Sequence, residues 1–180
     1  MSSIIKVNNI QDGGGNSILS SNGSGTFTPG SAMATGVLAN TPAFSVTMSA
    51  DQTLSTNTFT KLNLNTEAYD TDSAFDTSTY RFTVPSGKAG KYIFTYAGST
   101  GSLSNSTLGA IMLYKNGSGI DLSFARSYPN ASTGAYPHKT YTVTLSVADY
   151  IEVYGQHTKG SNADFQSEYT FFTGQRLIGV

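Results

Sequence analysis

The sequence predicts an all-β protein: a sandwich or barrel of short strands carried behind an extended N-terminal segment. Three observations predict it. From Pro42 onward apolar and polar residues alternate with period two, as in strands that bury one face. Turn-forming residues interrupt that alternation every 8–12 residues or so, the spacing of all-β folds. The polar content is Ser, Thr, Asn and Gly, whereas charged residues make up only 12% of the 180 residues, about half the usual share. Such residues bend and cap the backbone and disfavour long helices.

Residues 1–40 form the first region. Ile4, Ile5, Val7 and Ile10 make a short apolar patch that ends in Gln11-Asp12-Gly13-Gly14-Gly15. Ser17-Ile18-Leu19-Ser20 and Thr26-Phe27-Thr28-Pro29-Gly30 follow, separated by Ser21-Asn22-Gly23-Ser24-Gly25. These pieces are β-prone but too short to enclose a core. A flexible linker needs no recurring Ile, Leu and Phe, so we read residues 1–40 as an attachment segment that orders against another chain, with Ile4, Ile5, Val7 and Ile10 as its anchor. Residues 31–41 read as a joint.

Residues 41–180 form the second region. Phe44, Val46 and Met48 share one face of the first run. Phe59–Leu64 is a second run, and Tyr80, Phe82 and Val84 alternate before the stop at Pro85-Ser86-Gly87. Lys91–Ala97 and Ala110–Lys115 come next, the latter ending in the hairpin signal Asn116-Gly117. Ile120–Phe124 reads as a further strand. Tyr141, Val143, Leu145 and Val147 alternate, Ala148-Asp149 turns, and Tyr150–Tyr154 returns. Ser167–Ile178 reads as the last strand. No four-turn amphipathic helix and no internal repeat is present.

Tyr92-Ile93-Phe94 and Phe171-Phe172 place apolar groups on both faces of their strands. In so small a sandwich, a strand apolar on both sides needs a second surface, and another copy of the chain supplies one. The expectation is therefore an oligomer whose interface includes Phe44, Tyr92, Phe94, Phe171 and Phe172.

Composition excludes several classes. The net charge is -1 and no long basic run exists, so neither nucleic acid nor an anionic membrane is an expected partner. Cysteine is absent, which excludes disulfides, thiolate zinc sites and thiol catalysis. No apolar run reaches the roughly 20 residues of a membrane helix, and the N-terminus lacks the apolar core of a signal peptide. The expected place of synthesis is a cytoplasm, with no standard export.

No catalytic motif stands out. Gly-x-Ser-x-Gly and the phosphate-binding Gly-rich motifs do not occur. Glu67, Glu152 and Glu168 could serve as a glycosidase pair only if the fold brought two together, and nothing in the sequence singles out a pair. His138 and His157 have no metal-ligand spacing and read as surface or loop residues. Asp70, Asp72 and Asp76 are a candidate calcium site, because closely spaced loop carboxylates suit a hard cation. The plainer reading is a polar turn in which they accept backbone N–H bonds, since the Gly and terminal Glu of an EF-hand loop are missing. The aromatic loop 128–138 is a candidate ligand site. Tyr128, Tyr136 and His138 could stack on a sugar ring while Asn130 bonds its hydroxyls. Residues 99–107 form a second, more polar loop.

Residues 42–180 also resemble the complement C1q globular-head and tumour-necrosis-factor-like superfamily, in the family's order. The opening Pro42-Ala43-Phe44-Ser45 is similar, as are Thr79-Tyr80-Arg81-Phe82-Thr83-Val84-Pro85 and Gly90-Lys91-Tyr92-Ile93-Phe94. Leu113-Tyr114-Lys115-Asn116-Gly117, Val143-x-Leu145-x-x-x-x-Asp149-x-Ile151-x-Val153 and Phe172-Thr173-Gly174-x-x-Leu177 complete the set. The resemblance implies a ten-strand jelly roll, a homotrimer, and binding in place of catalysis; some members bind calcium. The collagen stalk or membrane stem of the animal proteins is missing. Residues 4–12 resemble instead the N-terminal segments of tailed-phage fibre and capsid-decoration proteins. The resulting expectation is a virion surface protein. Residues 1–40 would dock on other virion proteins, and the trimeric head would decorate the particle and attach to host cell-surface glycan. The alternative is a secreted-type, lectin-like recognition module of the same fold.

Overall fold

The computed structural model describes residues 8–24, 26–30, 40–101, 103–104, 106–129 and 134–178. The chain divides into two compact units, Met1–Asn40 and Thr41–Ile178.

In the first unit, β1 (Asn9–Gln11), β2 (Ser17–Ser21) and β3 (Phe27–Pro29) form an antiparallel sheet in sequence order. The turns are built by side chains accepting backbone N–H bonds. The Asp12 carboxylate takes Gly14 N and Asn16 N at 2.8 and 2.9 Å, and Asn22 Oδ1 takes Ser24 N at 2.9 Å. Gly15 and Gly23 adopt φ of 81°, where a side chain would clash with its own backbone. Of the anchor residues only Ile10 is described; Ile4, Ile5 and Val7, and most of the joint, lie outside the described residues.

The second unit is a two-sheet sandwich. Its strands are β4 (Ala43–Thr47), β5 (Gln52–Leu54), β6 (Thr60–Lys61), β7 (Thr66–Asp70), β8 (Phe75–Asp76), β9 (Arg81–Thr83) and β10 (Gly90–Ala97). They continue with β11 (Gly109–Lys115), β12 (Ser118–Gly119), β13 (Ala125–Ser127), β14 (His138–Leu145), β15 (Tyr150–His157), β16 (Ala163–Phe165) and β17 (Phe171–Arg176). One sheet has the order β14-β10-β17-β4-β7. The other runs β12-β11-β15-β9-β8, with β13 on β11 and β6 on β15. β5 and β16 pair apart from both.

Alternation decides what lies between the sheets. Tyr92, Phe94 and Tyr96 of β10, Phe44 and Val46 of β4, and Phe172 of β17 point inward and are fully buried. Ile111 and Leu113 of β11, Ile151 and Val153 of β15, and Phe82 of β9 meet them from the other sheet. The Phe44 ring lies 4.9 Å from Phe172, 5.0 Å from Phe82 and 5.3 Å from Phe75 between centroids, so the aromatics form one contiguous cluster. Gly174 makes that cluster possible: a Cβ there would overlap the Phe94 and Phe44 rings.

This packing corrects the interface expectation. Phe44, Tyr92, Phe94 and Phe172 are each 0% exposed inside their own chain, so no second copy is needed to cover them. Their burial follows from phase, since all four occupy the inward positions of their strands. The outward positions beside them hold Ile93 and Phe171, and only Phe171 of the five expected interface residues reaches the surface, at 37% exposure.

Three local expectations also change. Ile120–Phe124 is not a strand, because Asp121–Ser123 forms a 3-10 turn. The Ser123 hydroxyl donates to Ile120 O and accepts Leu113 N, and Tyr96 donates its hydroxyl to Ser123 O, so side chains replace a ladder. The last strand starts at Phe171, since Ser167–Tyr169 is a second 3-10 turn tied by Ser167 N and Oγ to Asp51 Oδ1 at 2.7 and 2.8 Å. In Phe59–Leu64 only Thr60–Lys61 pairs, while Leu62 and Leu64 drop into the core.

Candidate functional site

The candidate surface is the outer face of the sheet β14-β10-β17-β4-β7. Its central outward positions are Lys91, Ile93, Thr95 and Ala97 on β10, Phe171, Thr173 and Gln175 on β17, and Ala43, Ser45 and Thr47 on β4. Thr140, Thr142 and Thr144 extend the face along β14. Among these residues Lys91, at the start of its strand, carries the one fixed charge. Three hydroxyls near its centre are engaged within the chain: Thr95 Oγ1 and Thr140 Oγ1 lie 2.9 Å apart, and Thr173 Oγ1 donates to Phe44 O at 2.8 Å. A hydroxyl with a partner can be covered by another surface at little desolvation cost.

Two clefts indent this face and share Thr95. One, of about 220 Å³, is lined by Ile93, Thr95, Thr173 and Gln175 with Gly174 at its floor. The other, of about 390 Å³, lies among Thr95, Ala97, Tyr136, His138, Tyr169 and Phe171. Tyr136 and Tyr169 meet edge to face at 5.9 Å, and both are about half exposed. The Glu168 carboxylate raises the Tyr169 hydroxyl above its ordinary value, so Tyr169 acts as a neutral group. The structure thus brings Tyr136 and His138, expected to hold a ligand, beside Phe171, expected at a subunit interface. Tyr128 is not part of this cleft; it is 53% exposed with the Arg126 guanidinium 5.8 Å from its ring. Asn130 lies outside the described residues.

Ile93, Thr95, Thr173 and Tyr169 were not singled out from the sequence. The available signal was phase: Ile93 between Tyr92 and Phe94, and Phe171 before Phe172, are apolar residues at outward positions. For Tyr169 no such signal exists, because it sits in a 3-10 turn.

The opposite sheet presents a different outer face. There Glu152 is 2% exposed, and its Oε1 accepts from Arg81 Nε, Arg81 Nη2 and Lys61 Nζ at 3.1, 2.9 and 3.2 Å. Arg81 also lies 3.6 Å from the centre of the Tyr150 ring. Tyr114 and Tyr154 stack at 3.8 Å nearby, and their hydroxyls are pushed up by burial. Glu152 is therefore a structural ion-pair partner, held by two cations.

At the candidate calcium residues the carboxylates carry the bonds of a polar turn. Asp70 accepts Asp72 N and Phe75 N at 3.2 and 2.7 Å, and Asp76 accepts Ser78 N and Oγ and Thr79 Oγ1 at 2.8, 2.6 and 2.8 Å. Those bonds, led by the Ser78 hydroxyl, hold the Asp76 carboxyl down to about 2. Asp72 faces Lys88 at 3.8 Å. Turn caps and a lysine engage the three carboxylates, and among the described residues no group of three His, Cys, Asp or Glu converges as a metal cradle. His157, expected at the surface, is buried on β15; its Nε2 lies 3.0 Å from Leu54 O and its Nδ1 accepts Lys159 N at 3.3 Å, so Nε2 carries the proton.

No family model matches the chain, and no curated protein matches it by sequence. Solved structures do match. The globular domain of zebrafish complement 1qA protein aligns with a TM-score of 0.53 at 16% identity, over 77% of this chain and 98% of that one. Eiger TNF from S. frugiperda aligns with 0.51 at 13% identity, over 77% and 92%. Murine APRIL aligns with 0.53 at 13% identity, over 75% and 99%. The sheet order, the inward aromatic cluster and these alignments agree on one architecture: the second unit is a C1q/TNF-like jelly roll.

Proposed function

We propose that the chain is a non-catalytic recognition protein whose jelly-roll head works as a homotrimer, joined through the outer face of the sheet β14-β10-β17-β4. The observation that carries this reading is the near absence of charge on that face, together with half-exposed aromatics around its larger cleft. Two like-charged faces would repel when brought together, and this one has almost nothing to repel. The fold neighbours are complement and tumour-necrosis-factor proteins, which supports recognition over catalysis.

This reading reassigns Tyr136 and His138. A cleft covered by a neighbouring subunit is closed to a glycan, so these residues serve the contact. Ligand display passes to surfaces outside it, with Tyr128 and Arg126 as the aromatic and cationic pair for a sugar. Three copies would turn weak single contacts into firm attachment.

Light scattering on the wild-type chain tests the trimer. Phe171→Asp changes an outward residue, places three carboxylates in the contact, and is expected to give a folded monomer. A monomeric wild-type chain would defeat the reading, and a trimeric Phe171→Asp chain would move the contact elsewhere.

The second reading adds a setting, a virion surface on which residues 1–40 hold the head to other particle proteins. What favours it is that residues 1–40 make a compact unit of their own, in addition to a head that is already a closed sandwich. Particles assembled with residues 41–180 alone are expected to lack the head. Normal incorporation of that truncated chain, or glycan binding with no particle association, would leave the first reading without its virion setting.

A further inference from the structure

The first unit has one apolar face. Register places Ile10 opposite Leu19, Leu19 opposite Pro29 and Ser21 opposite Phe27, so Ile10, Leu19 and Phe27 share a side of the sheet. With Asn8, Asn9 and Ser21 they line a shallow cleft. Phe27 is 63% exposed and Ile10 46%, although both stand where a sandwich would have its interior. Strands of 3, 5 and 3 residues make too few ladder bonds to persist in water with their apolar side wet.

We propose that this face closes against the same face of the other copies of the chain, so that the trimer is held at two levels, through the heads and through the N-terminal sheets. The inference rests on the trimer reading above. Identical copies are the partner that the chemistry fits. In the sequence of residues 8–30, Asp12 is the one charged residue, and its carboxylate is already engaged by Gly14 N, Asn16 N and the Asn16 amide. Copies can therefore lie face to face without burying like charges, while a basic or acidic partner finds nothing to pair with. Association of the heads also tethers three such sheets, each on a short connection, at an effective concentration of order millimolar. Under that condition a face with three apolar side chains can associate although it would not do so between free segments.

Amide hydrogen exchange on the full chain, with mass followed by light scattering, tests this. Residues 8–30 are expected to be protected in the wild-type trimer and to lose about tenfold or more of that protection in the Phe171→Asp monomer. Phe27→Ser is expected to remove the protection while the mass stays that of a trimer. Ile18→Ser, on the opposite side of the same sheet, is expected to leave it. A wild-type trimer whose residues 8–30 exchange freely would overturn this inference alone. So would protection that appears only when another protein is added, or that survives Phe27→Ser. A monomeric wild-type chain would remove the trimer reading and this inference with it.

Discussion

The two units use the same kinds of residue to opposite effect. In the head, Phe44, Phe94 and Phe172 are 0% exposed; in the N-terminal sheet, Phe27 is 63% exposed. Both units are antiparallel, Ser/Thr-rich and turn-dense. What separates them is the second layer. A phenylalanine on a strand is buried only if another sheet lies within about 10 Å of its face. The head has two sheets to press together. The N-terminal unit has one among its described residues, so its apolar side is an interface in waiting, while the apolar side of the head is a finished core.

The comparison is broken most forcefully at the centre of that core. Phe94 packs on Phe82, Phe172 and Tyr92 at centroid distances of 5.4–5.9 Å. Phe94→Ala removes that ring from a closed aromatic cluster and is expected to cost the head about 3–5 kcal/mol in urea unfolding. A loss below roughly 1 kcal/mol would mean that the cluster is loosely packed, and the contrast with the N-terminal sheet would fail.

Gly174→Ala approaches the same cluster from the opposite direction. Its Cβ would overlap the Phe94 and Phe44 rings, and backbone conformation is not the obstacle, since Gly174 is not among the positive-φ glycines. The expected cost is about 2–3 kcal/mol from overpacking. Phe94→Leu combined with Gly174→Ala frees space at the contact, so the pair is expected to lose less than the sum of the two single changes. Strict additivity would place the strain elsewhere.

Outside the core, the turn between β14 and β15 offers a smaller and pH-dependent effect. Asp149 accepts from Lys115 Nζ at 2.8 Å, Asn116 Nδ2 at 2.7 Å and Ser146 N at 2.8 Å. Those bonds, the lysine first, hold its carboxyl down to about 2 from the ordinary 3.8. A carboxyl lowered in the folded state stabilises fully above its ordinary value, and the contribution is lost as pH falls from 3.8 through 2. Asp149→Ala is expected to cost about 1–2 kcal/mol at neutral pH. In Asp149→Asn the fall in melting temperature between pH 4 and pH 2 is expected to be shallower than in the wild type. An unchanged acid slope would assign the acid sensitivity to Asp76, whose carboxyl is lowered to about 2 by the Ser78 and Thr79 bonds.

How much of this was readable beforehand follows from the same distinction between layers. Period-two alternation located β4, β10, β11, β14 and β15 to within a few residues, because each carries inward aromatic or branched residues at every second position. It could not locate β7 or β16. The β7 segment Thr66-Glu67-Ala68-Tyr69-Asp70 lies at a sheet edge and buries almost nothing, so no selection for alternation acts on it. The site was readable only in part. Phase shows that Ile93 and Phe171 face away from Tyr92 and Phe172, but which side of a strand is the core depends on the partner sheet, which local sequence does not specify. Of the five residues expected at the interface, Phe44, Tyr92, Phe94 and Phe172 are therefore core residues, and Phe171 alone faces outward. The convergence of Tyr136 with Tyr169 and Phe171, which lie much later in the chain, depends on register between β10, β14 and β17.

The smallest expected effect tests the comparison most directly. If the N-terminal sheet contributes nothing to the head's own core, Phe27→Ala should change the head's urea unfolding by less than about 0.5 kcal/mol, although it removes the same side chain as Phe94→Ala. The reasoning is that of area: a ring 63% exposed has little left to lose to water, whereas one at 0% loses everything. The measurement is unfolding of the Phe171→Asp background, which is expected to be monomeric. A loss there comparable to that of Phe94→Ala would mean that Phe27 is covered by its own chain. The division into one closed and one open β unit would then have to be abandoned.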